Sequence, residues 1–484
     1  MATDEPKPAR HVDDLRGAGR LAIDATTGVT DLIEAMHLTI ASGPGVLGRP
    51  LAAPARVVTG LVYGAVRGVT RAVGATLDAA LATLGPVLGE GAAGPHRTAV
   101  QAALNGVLGD YLAETANPLA LAMTLQHGRQ AIPSVPTAQL PASSEASAAA
   151  TTVSESAAPA TSVSRTAAPA PASSRLIILV HGLAMHPGQW LRNGHDHGAA
   201  LAAELGATAL YAGYNTGRHI STNGAELAAL LERTVAAWPV PVDSIILLGH
   251  SMGGLVARSA CAAARTVGHT WLSRLRALIS LGSPHHGAAL ERGGNWTETL
   301  LGISAYSAPF RRLARIRSAG VTDLRHGNVL DADWHGHDRF ALGGDRRTPL
   351  PLPTGVACFA IAATTAPAAP TTAATSAMPA ASATSTTPAT SATSATPATS
   401  AISAATRLPG DGVVSVANAL GQHTARLPGD GLVSVASALG QHALPAHTLR
   451  FPDDHRWIAF GTNHLDLLDA PAVYAQLRTW LTAL

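Results

Sequence analysis

Short apolar runs followed by polar residues recur along the chain from residue 175 onward. Four of them are RLIILVHG (175–182), SIILLGHSMGG (244–254), ALISLGSPHHG (277–287) and GVACFAIAA (355–363). Runs this short and this apolar are typical of parallel strands that are buried on both faces of a sheet. A fifth run, ATALYAGYNTG (207–217), predicts another strand and its exit loop. The chain is therefore expected to build a sheet of at least these five strands.

Helical segments separate these runs. Residues 224–238 and 255–267 lie between successive predicted strands and have a helical composition. This alternation predicts an α/β fold with a mostly parallel sheet. Ligands of such sheets bind at the carboxyl ends of the strands. Polar residues directly after the strands are therefore the first candidates for a functional site.

Composition divides the 484 residues into five segments. We expect an N-terminal helical region (1–131), an Ala/Ser/Pro-rich linker (132–174), the first part of the α/β domain (175–363), a low-complexity insertion (364–406) and the second part of that domain (407–484). The linker and the insertion contain too few large apolar residues to offset the entropy of ordering them. Because the insertion interrupts the domain, we expect it to loop out at a modest closure cost.

The N-terminal region carries apolar residues at a helical period from about residue 12 to residue 130. The simpler interpretation is that these helices pack on the main domain as a cap or form an oligomer contact. The alternative is an amphipathic element that makes peripheral contact with a membrane, because an apolar stripe with scattered arginines suits a lipid surface. The sequence leaves the oligomeric state undetermined.

Charge and cysteine content exclude several classes of protein. Lys and Arg number 33 and Asp and Glu number 31, a formal charge of +2 that does not favour nucleic acid as a partner. Only Cys261 and Cys358 occur, which excludes a disulfide scaffold and a cysteine-based zinc site. MATDEPKPARHVDDL at the start lacks the apolar run of a secretory signal peptide, and no segment has about twenty consecutive apolar residues. We therefore expect a cytoplasmic protein.

The segment GHSMG (249–253) fits the pattern G-x-S-x-G between a predicted strand and a predicted helix. This context is that of a nucleophile elbow, in which Gly249 and Gly253 allow a tight turn that exposes the hydroxyl of Ser251. A serine hydroxyl is a weak nucleophile and needs a histidine as base and a carboxylate to orient that base. In a fold with this elbow, the acid and the histidine follow the serine along the chain.

His464 is the best candidate for the base. It lies in RWIAFGTNHLDLL, where an apolar strand-like run is followed by a loop, the histidine and a helix from about residue 471. His423, His442 and His455 also follow Ser251 and are weaker candidates, because we expect them at the surface or in loops.

The candidate acid occurs in a sequence segment that is present twice in the chain. RLPGDGVVSVANALGQH (407–423) and RLPGDGLVSVASALGQH (426–442) each place an aspartate between two glycines, where a carboxylate projects without steric cost. The second copy continues through short connections toward His464, whereas the first copy joins the insertion. Asp430 is therefore the preferred acid. Asp411 stays an alternative, since a long insertion would allow the first copy to dock instead.

Two backbone N–H groups should stabilise the oxyanion that forms during acyl transfer. We expect one from Met252, directly after the nucleophile, and one from Leu183 in the loop HGLAMHPGQW. We expect the following side chains to bind or border the substrate: His181, Met185, Trp190, His250, His285 and His286.

Six segments together resemble the α/β-hydrolase superfamily: LVHGLAMHPGQW, YNTGRHISTNG, LLGHSMGGLVAR, LGSPHHG, GDGLVSV and NHLDLL. They look most like its bacterial lipase and esterase branch, related to the GPI inositol-deacylase type. The resemblance covers residues 175–484 without the insertion. It implies carboxylic-ester hydrolysis through an acyl-enzyme, an ester or lipid substrate and no cofactor, with Ser251, Asp430 and His464 at the family's catalytic positions. The doubled acid motif departs from the family pattern.

Alternative functions stay open at this point. Thioesterase, acyltransferase or peptidase activity would use the same triad, and a non-catalytic hydrolase fold would serve as a binding module. Dehalogenases and epoxide hydrolases need an aspartate at the elbow, so Ser251 disfavours them. Metal binding is a minor alternative, because the clusters have ligand types but lie in glycine-containing loops. Their residues are His195, Asp196 and His197, and Asp333, His335, His337 and Asp338.

Overall fold

The protein was analysed as a computed structural model that describes residues 11–41, 52–88, 95–128, 130–131, 172–288, 317–341, 344–368 and 429–484. Most of the expected linker and insertion lie outside the described residues. The first copy of the repeated segment, with Asp411 and His423, also lies outside the described residues.

Within the described residues, eight strands form one sheet in the order β2-β1-β4-β3-β5-β6-β7-β8. Strands β3 to β8 are parallel, whereas β1 and β2 run antiparallel at one edge. The expectation of a mostly parallel sheet is confirmed. The bounds are β1 Thr124–His127, β2 Gln130–Ala131, β3 Arg175–Val180, β4 Thr208–Gly213, β5 Ser244–His250, β6 Leu275–Leu281, β7 Ala357–Thr364 and β8 Arg456–Phe460.

Helices cover both faces of the sheet, so each central strand is apolar throughout. In β3, Leu176, Ile178 and Val180 join one core with α5 and α6, while Ile177 and Leu179 join a second core with α4 and α9. Both cores exclude water, which explains why the strands lack the alternation of a half-exposed sheet. The helices of the described residues are α1 His11–Ala41, α2 Ala52–Leu88, α3 Pro95–Glu114, α4 His197–Leu205, α5 Ile220–Ala236, α6 Met252–Val267, α7 Ala319–Asp323, α8 Val435–Ala438 and α9 Pro471–Thr482.

The expectation of helices from residue 12 to residue 130 needs a correction at its end. Residues 124–127 form β1, which pairs antiparallel with β4 and adds the N-terminal region to the sheet. A strand of four residues is too short for a periodic pattern to reveal it. Its extended conformation depends on the open edge of β4, a partner more than 80 residues away in sequence.

Ion pairs join the N-terminal helices to one another. Arg67 of α2 lies 2.7 Å from Asp31 and 2.6 Å from Glu34 of α1. Asp78 of α2 accepts hydrogen bonds from Arg16 and Arg20 of α1. The opposite face of α2 exposes a stripe of apolar side chains: Val62, Val66, Val69, Val73 and Leu77. None of the described helices is long and apolar enough to cross a membrane, and peripheral membrane contact through this region stays a prediction.

Candidate active site

Ser251 lies in a tight turn between β5 and α6. Its φ angle is +54°, a left-handed conformation that is strained for a serine. Its N–H donates to the carbonyl of Leu281 at 2.8 Å, which ties the turn to the end of β6. A Cβ atom at Gly253 would collide with the carbonyl of Val180, and one at Gly249 would collide with Gly254. The turn expected from the two glycines is therefore present, and no larger residue fits at either position.

The carboxylate of Asp430 and the imidazole of His464 form a buried pair. Oδ2 of Asp430 lies 2.7 Å from Nδ1 of His464, and the two side chains are only 1% and 6% exposed. The other oxygen, Oδ1, accepts the backbone N–H groups of Leu432 at 3.0 Å and Val433 at 2.8 Å. Because every contact favours one orientation of the carboxylate, the imidazole has a fixed acceptor for its Nδ1–H group.

The two glycines around Asp430 have different steric roles. A Cβ atom at Gly429 would collide with the carbonyl of Val433, which itself accepts the N–H of Asp430 at 3.2 Å. Gly431 has a φ angle of +100°, a conformation that side chains rarely allow. The sequence GDG therefore makes a compact turn that presents the carboxylate toward His464.

The end of β6 brings this pair beside the serine turn. A Cβ atom at Gly282 would lie 3.2 Å from Oδ2 of Asp430 and 3.3 Å from Cε1 of His464. The preceding residue is Leu281, the acceptor for the N–H of Ser251. Nε2 of His250, next to Ser251, lies 3.0 Å from the carbonyl oxygen of His464. Hydroxyl, imidazole and carboxylate thus meet at the carboxyl edge of the sheet.

The hydroxyl of Ser251 is half-buried and has no hydrogen bond to His464 among the described residues. Bonds of this kind are often long in a protein without substrate and shorten when the substrate binds. The acid–base pair is therefore assembled before the nucleophile engages it.

The loop after β3 runs directly over the serine. A Cβ atom at Gly182 would lie 3.0 Å from Cβ of Ser251, so the following residue, Leu183, begins beside the nucleophile. Met252 is the first residue of α6, and the N–H groups of the first helical turn have no acceptor within the helix. Leu183 and Met252 therefore lie beside Ser251, and their role as oxyanion donors stays a prediction.

Four histidine and tryptophan side chains that we expected to contact the substrate are buried instead. His181, Trp190 and His285 are 0% exposed and His250 is 1% exposed, so none presents surface to a ligand. A position after a strand does not determine whether a side chain points outward or into the layer beneath, and substrate contact at these positions stays a prediction that their burial does not favour. Met185 and His286 are also buried.

Ring contacts explain where these side chains lie. His181 stacks on Tyr214 with ring centroids 4.5 Å apart, and Trp190 packs edge-on against His250 at 6.4 Å. Burial lowers the pKa of His181 to about 4 and that of His250 to about 3. These imidazoles are therefore neutral near pH 7 and lie buried beneath the site.

The weaker candidates for the base lie elsewhere. His442 is 3.4 Å from Asp345, and Nδ1 of His455 lies 3.1 Å from the carbonyl oxygen of Cys358. Cys358 is near the start of β7, so His455 is at the edge of the sheet opposite Ser251. Neither histidine contacts the serine turn.

The two clusters named as a minor alternative for metal binding have other hydrogen-bond partners. Nε2 of His195 lies 2.8 Å from Nδ1 of His197, while Asp196 caps α4 and accepts the hydroxyl of Tyr211. Asp333 accepts the N–H groups of the loop before it. Across the described parts of the chain, no group of three or more His, Cys, Asp or Glu side chains is arranged to hold a metal ion.

Two residues of the loop after β4 contact the site and were missed by sequence reasoning. The hydroxyl of Tyr214 donates to the carbonyl of His181 at 2.6 Å, and Oγ1 of Thr216 accepts the N–H of Ala184 at 3.0 Å. Both belong to the motif YNTG, whose position after a parallel strand was the available signal. Nothing local indicates that its side chains bond to the loop after β3.

Strand order and site together define a class of protein. Six parallel strands carry a serine turn after β5, an aspartate after β7 and a histidine after β8, the chain order of an α/β-hydrolase of the serine type. The fold of the chain is that of the α/β-hydrolases. Residues 213–365 match the family described as the PGAP1-like alpha/beta domain, a segment that contains the elbow.

Solved structures show weaker similarity to this chain. The mature lipase BlEst2 of Bacillus licheniformis is 17% identical, with 66% of this chain and 94% of that chain covered and a TM-score of 0.33. The Staphylococcus hyicus lipase is 12% identical, with 65% and 95% covered and a TM-score of 0.30. The NocB thioesterase domain is 12% identical, with 64% and 96% covered and a TM-score of 0.27. These TM-scores are too low to carry an argument, and no curated protein matches the chain significantly in sequence.

Proposed function

We propose that this protein hydrolyses carboxylic esters through an acyl-enzyme intermediate, with Ser251 as nucleophile, His464 as general base and acid, and Asp430 as the acid of the triad. The observation that carries this proposal is the buried pair of His464 and Asp430, with a 2.7 Å contact, beside the strained turn of Ser251. A buried imidazole oriented by a carboxylate is the arrangement that makes a serine hydroxyl reactive.

The first half of the reaction forms the acyl-enzyme. Oγ of Ser251 attacks the carbonyl carbon of the ester while its proton moves to Nε2 of His464. The negative charge on the carbonyl oxygen is stabilised by the N–H groups of Leu183 and Met252, and each such donor contributes about 10²–10³ in rate. The protonated His464 then gives its proton to the alcohol oxygen as the C–O bond breaks.

The second half of the reaction releases the acid. Nε2 of His464 takes a proton from a water molecule, whose oxygen attacks the acyl carbon. The tetrahedral intermediate uses the same two N–H groups, and it collapses when His464 returns the proton to Oγ of Ser251. Throughout both halves, Asp430 accepts the Nδ1–H bond and stabilises the imidazolium without itself being protonated.

The same groups would also cleave a thioester or a peptide bond, or transfer the acyl group to an acceptor other than water. Esters are preferred over peptides because an alcohol is a better leaving group than an amine. The acyl chain length and the alcohol part of the substrate are left to experiment.

The proposal is tested by hydrolysis of p-nitrophenyl esters from acetyl to laurate, with the matching acyl thioesters in parallel. We expect turnover by the full chain and a loss of about 10³-fold or more in Ser251→Ala. Ser259→Ala is the matched control, because Ser259 is buried in the adjoining helix and donates to Val329 rather than to the site. Turnover that survives in Ser251→Ala would contradict the proposal, and no turnover on any substrate would favour a binding module.

A further inference from the structure

The loop that carries Leu183 has an unusual backbone at its next residue. Ala184 has a φ angle of +58°, a left-handed conformation that alanine adopts only when its surroundings enforce it. The N–H group of Ala184 donates to Oγ1 of Thr216 at 3.0 Å. The N–H of Leu183 belongs to the preceding peptide unit, between Gly182 and Leu183. The bond from Ala184 therefore fixes the peptide unit that directly follows it and limits how far the N–H of Leu183 can rotate.

The loop is held at its other end by a second bond. The hydroxyl of Tyr214 donates to the carbonyl of His181 at 2.6 Å. Tyr214 and Thr216 are each 1% exposed, so water does not compete for these contacts. Residues 181–184 are therefore bonded at both ends to the loop after β4.

Helix α3 packs against both loops from outside. The side chain of Asn215 donates to the carbonyl of Gly109 at 2.8 Å. A Cβ atom at Gly106 would lie 2.7 Å from Cβ of Ala184, closer than two such atoms approach. The glycine face of α3 thus lies directly on Ala184 and leaves no space into which the loop could relax.

The start of α7 also anchors α3. The hydroxyl of Ser318 donates to the carbonyl of Gly106 at 2.6 Å, and Asp110 accepts the N–H of Ala319 at 2.9 Å. Ser318 is the N-cap of α7 and Ala319 is its first residue. The helix is therefore bonded to α7 as well as to the loop after β4.

We propose that Thr216 and α3 are positioning elements of the oxyanion site: by fixing the backbone at Ala184, they hold the preceding peptide unit, between Gly182 and Leu183, with its N–H group in the orientation that the developing negative charge requires. The proposal rests on the proposed function, since it assigns how one of its donors is oriented. Neither Thr216 nor Gly106 touches the substrate. They raise the rate because an N–H group that already points at the developing negative charge needs no reorganisation during the reaction.

A consequence concerns the organisation of the enzyme. Helix α3 spans Pro95–Glu114, outside both the α/β segment that begins at residue 175 and the family match over 213–365. If it positions the oxyanion loop, this part of the N-terminal region belongs to the catalytic machinery rather than to a detachable cap.

The test compares Thr216→Val, Thr216→Ser and Thr208→Val in the full chain. Thr208 is the matched control, because its Oγ1 also accepts a partly buried backbone N–H at 3.0 Å, from Ser173, at the amino end of β4. The readouts are the second-order rate of Ser251 labelling by a fluorophosphonate, measured by intact mass, and kcat and KM on the best ester. We expect Thr216→Val to lower the labelling rate and kcat about tenfold with KM unchanged.

Recovery in the conservative variant separates positioning from general destabilisation. Thr216→Ser keeps the acceptor oxygen and should return the labelling rate to within about twofold of wild type, whereas Thr208→Val should leave it unchanged. If Thr216→Val labels at the rate of Thr208→Val, the inference is wrong while the proposed function stands. If wild type is not labelled, or Ser251→Ala is labelled equally, the proposed function fails and the inference fails with it.

Gly106→Ala supplies a second test that does not remove a hydrogen bond. The added methyl group must displace Ala184, so we expect a lower labelling rate and a lower kcat with unchanged KM. Gly64→Ala is its control, since a Cβ atom at Gly64 meets nothing within 4 Å. Labelling by Gly106→Ala at the wild-type rate would overturn the role of α3, even if Thr216→Val is too unstable to be measured.

Discussion

His464 and Asp430 contact each other through both their side chains and their backbones. Nδ1 of the imidazole lies 2.7 Å from the carboxylate, and the N–H of His464 donates to the carbonyl of Asp430 at 3.0 Å. This double contact makes the second copy of the repeated segment part of the site. Asp411, in the first copy, lies outside the described residues, and the preference for Asp430 as the catalytic acid stays a proposal for experiment.

The two aspartates are distinguished by matched substitutions. We expect Asp430→Asn to lower kcat about 10³–10⁴-fold, because an amide no longer stabilises the imidazolium and favours the wrong tautomer. Asp411→Asn is the control and should retain wild-type turnover of the same p-nitrophenyl ester. Loss of activity in Asp411→Asn with full activity in Asp430→Asn would reverse the assignment.

Gly253→Ala should destabilise the protein by about 2–4 kcal/mol, because the new methyl group collides with the carbonyl of Val180. Gly64→Ala is a matched control in α2 with free space around the position, and it should stabilise that helix by up to about 1 kcal/mol. Urea unfolding of both variants measures the difference. Equal stability of the two would show that the turn at Ser251 is looser than described.

Trp190→Ala should lower the free energy of unfolding by about 3–5 kcal/mol, since a fully buried indole is removed from the core. KM should change little, because the ring has no exposed surface for a substrate. Trp190→Phe should recover part of the stability. A large rise in KM without loss of stability would instead support the original expectation that Trp190 borders the substrate.

Acid should destabilise the fold below about pH 6.5. Burial lowers the pKa of His181 to about 4 and that of His250 to about 3, so between these values and pH 6.5 the unfolded chain binds more protons than the folded one. Stability is therefore fully present above pH 6.5 and decreases as the pH falls toward these folded-state values. Urea midpoints measured from pH 7 to pH 5 should fall, and His250→Gln should make the fall shallower. A midpoint independent of pH in wild type would contradict this.

Local patterns were sufficient for the centre of the fold. The apolar runs at 175–180 and 244–250 predicted buried parallel strands, because a strand covered on both faces must be apolar throughout. GHSMG predicted the turn at Ser251, since its two glycines lie where any side chain would collide with backbone. These features depend on residues that are neighbours in sequence.

Contacts between distant residues were decided only by the tertiary structure. Strand β1 was missed because its partner is β4, and the burial of Trp190 was not evident because it depends on the packing around His250. The helical pattern of α3 gave no indication that Gly106 would lie on Ala184, 78 residues later in the chain.

The sequence by itself therefore determined the main strands and helices from residue 175 onward, the serine turn and the small set of acids and bases that could serve it. The tertiary structure decided which aspartate among the described residues meets His464 and which side chains lie beneath the site. The reason is physical: backbone conformation and hydrophobic periodicity are local properties, whereas burial and pairing are settled only when separate segments pack together.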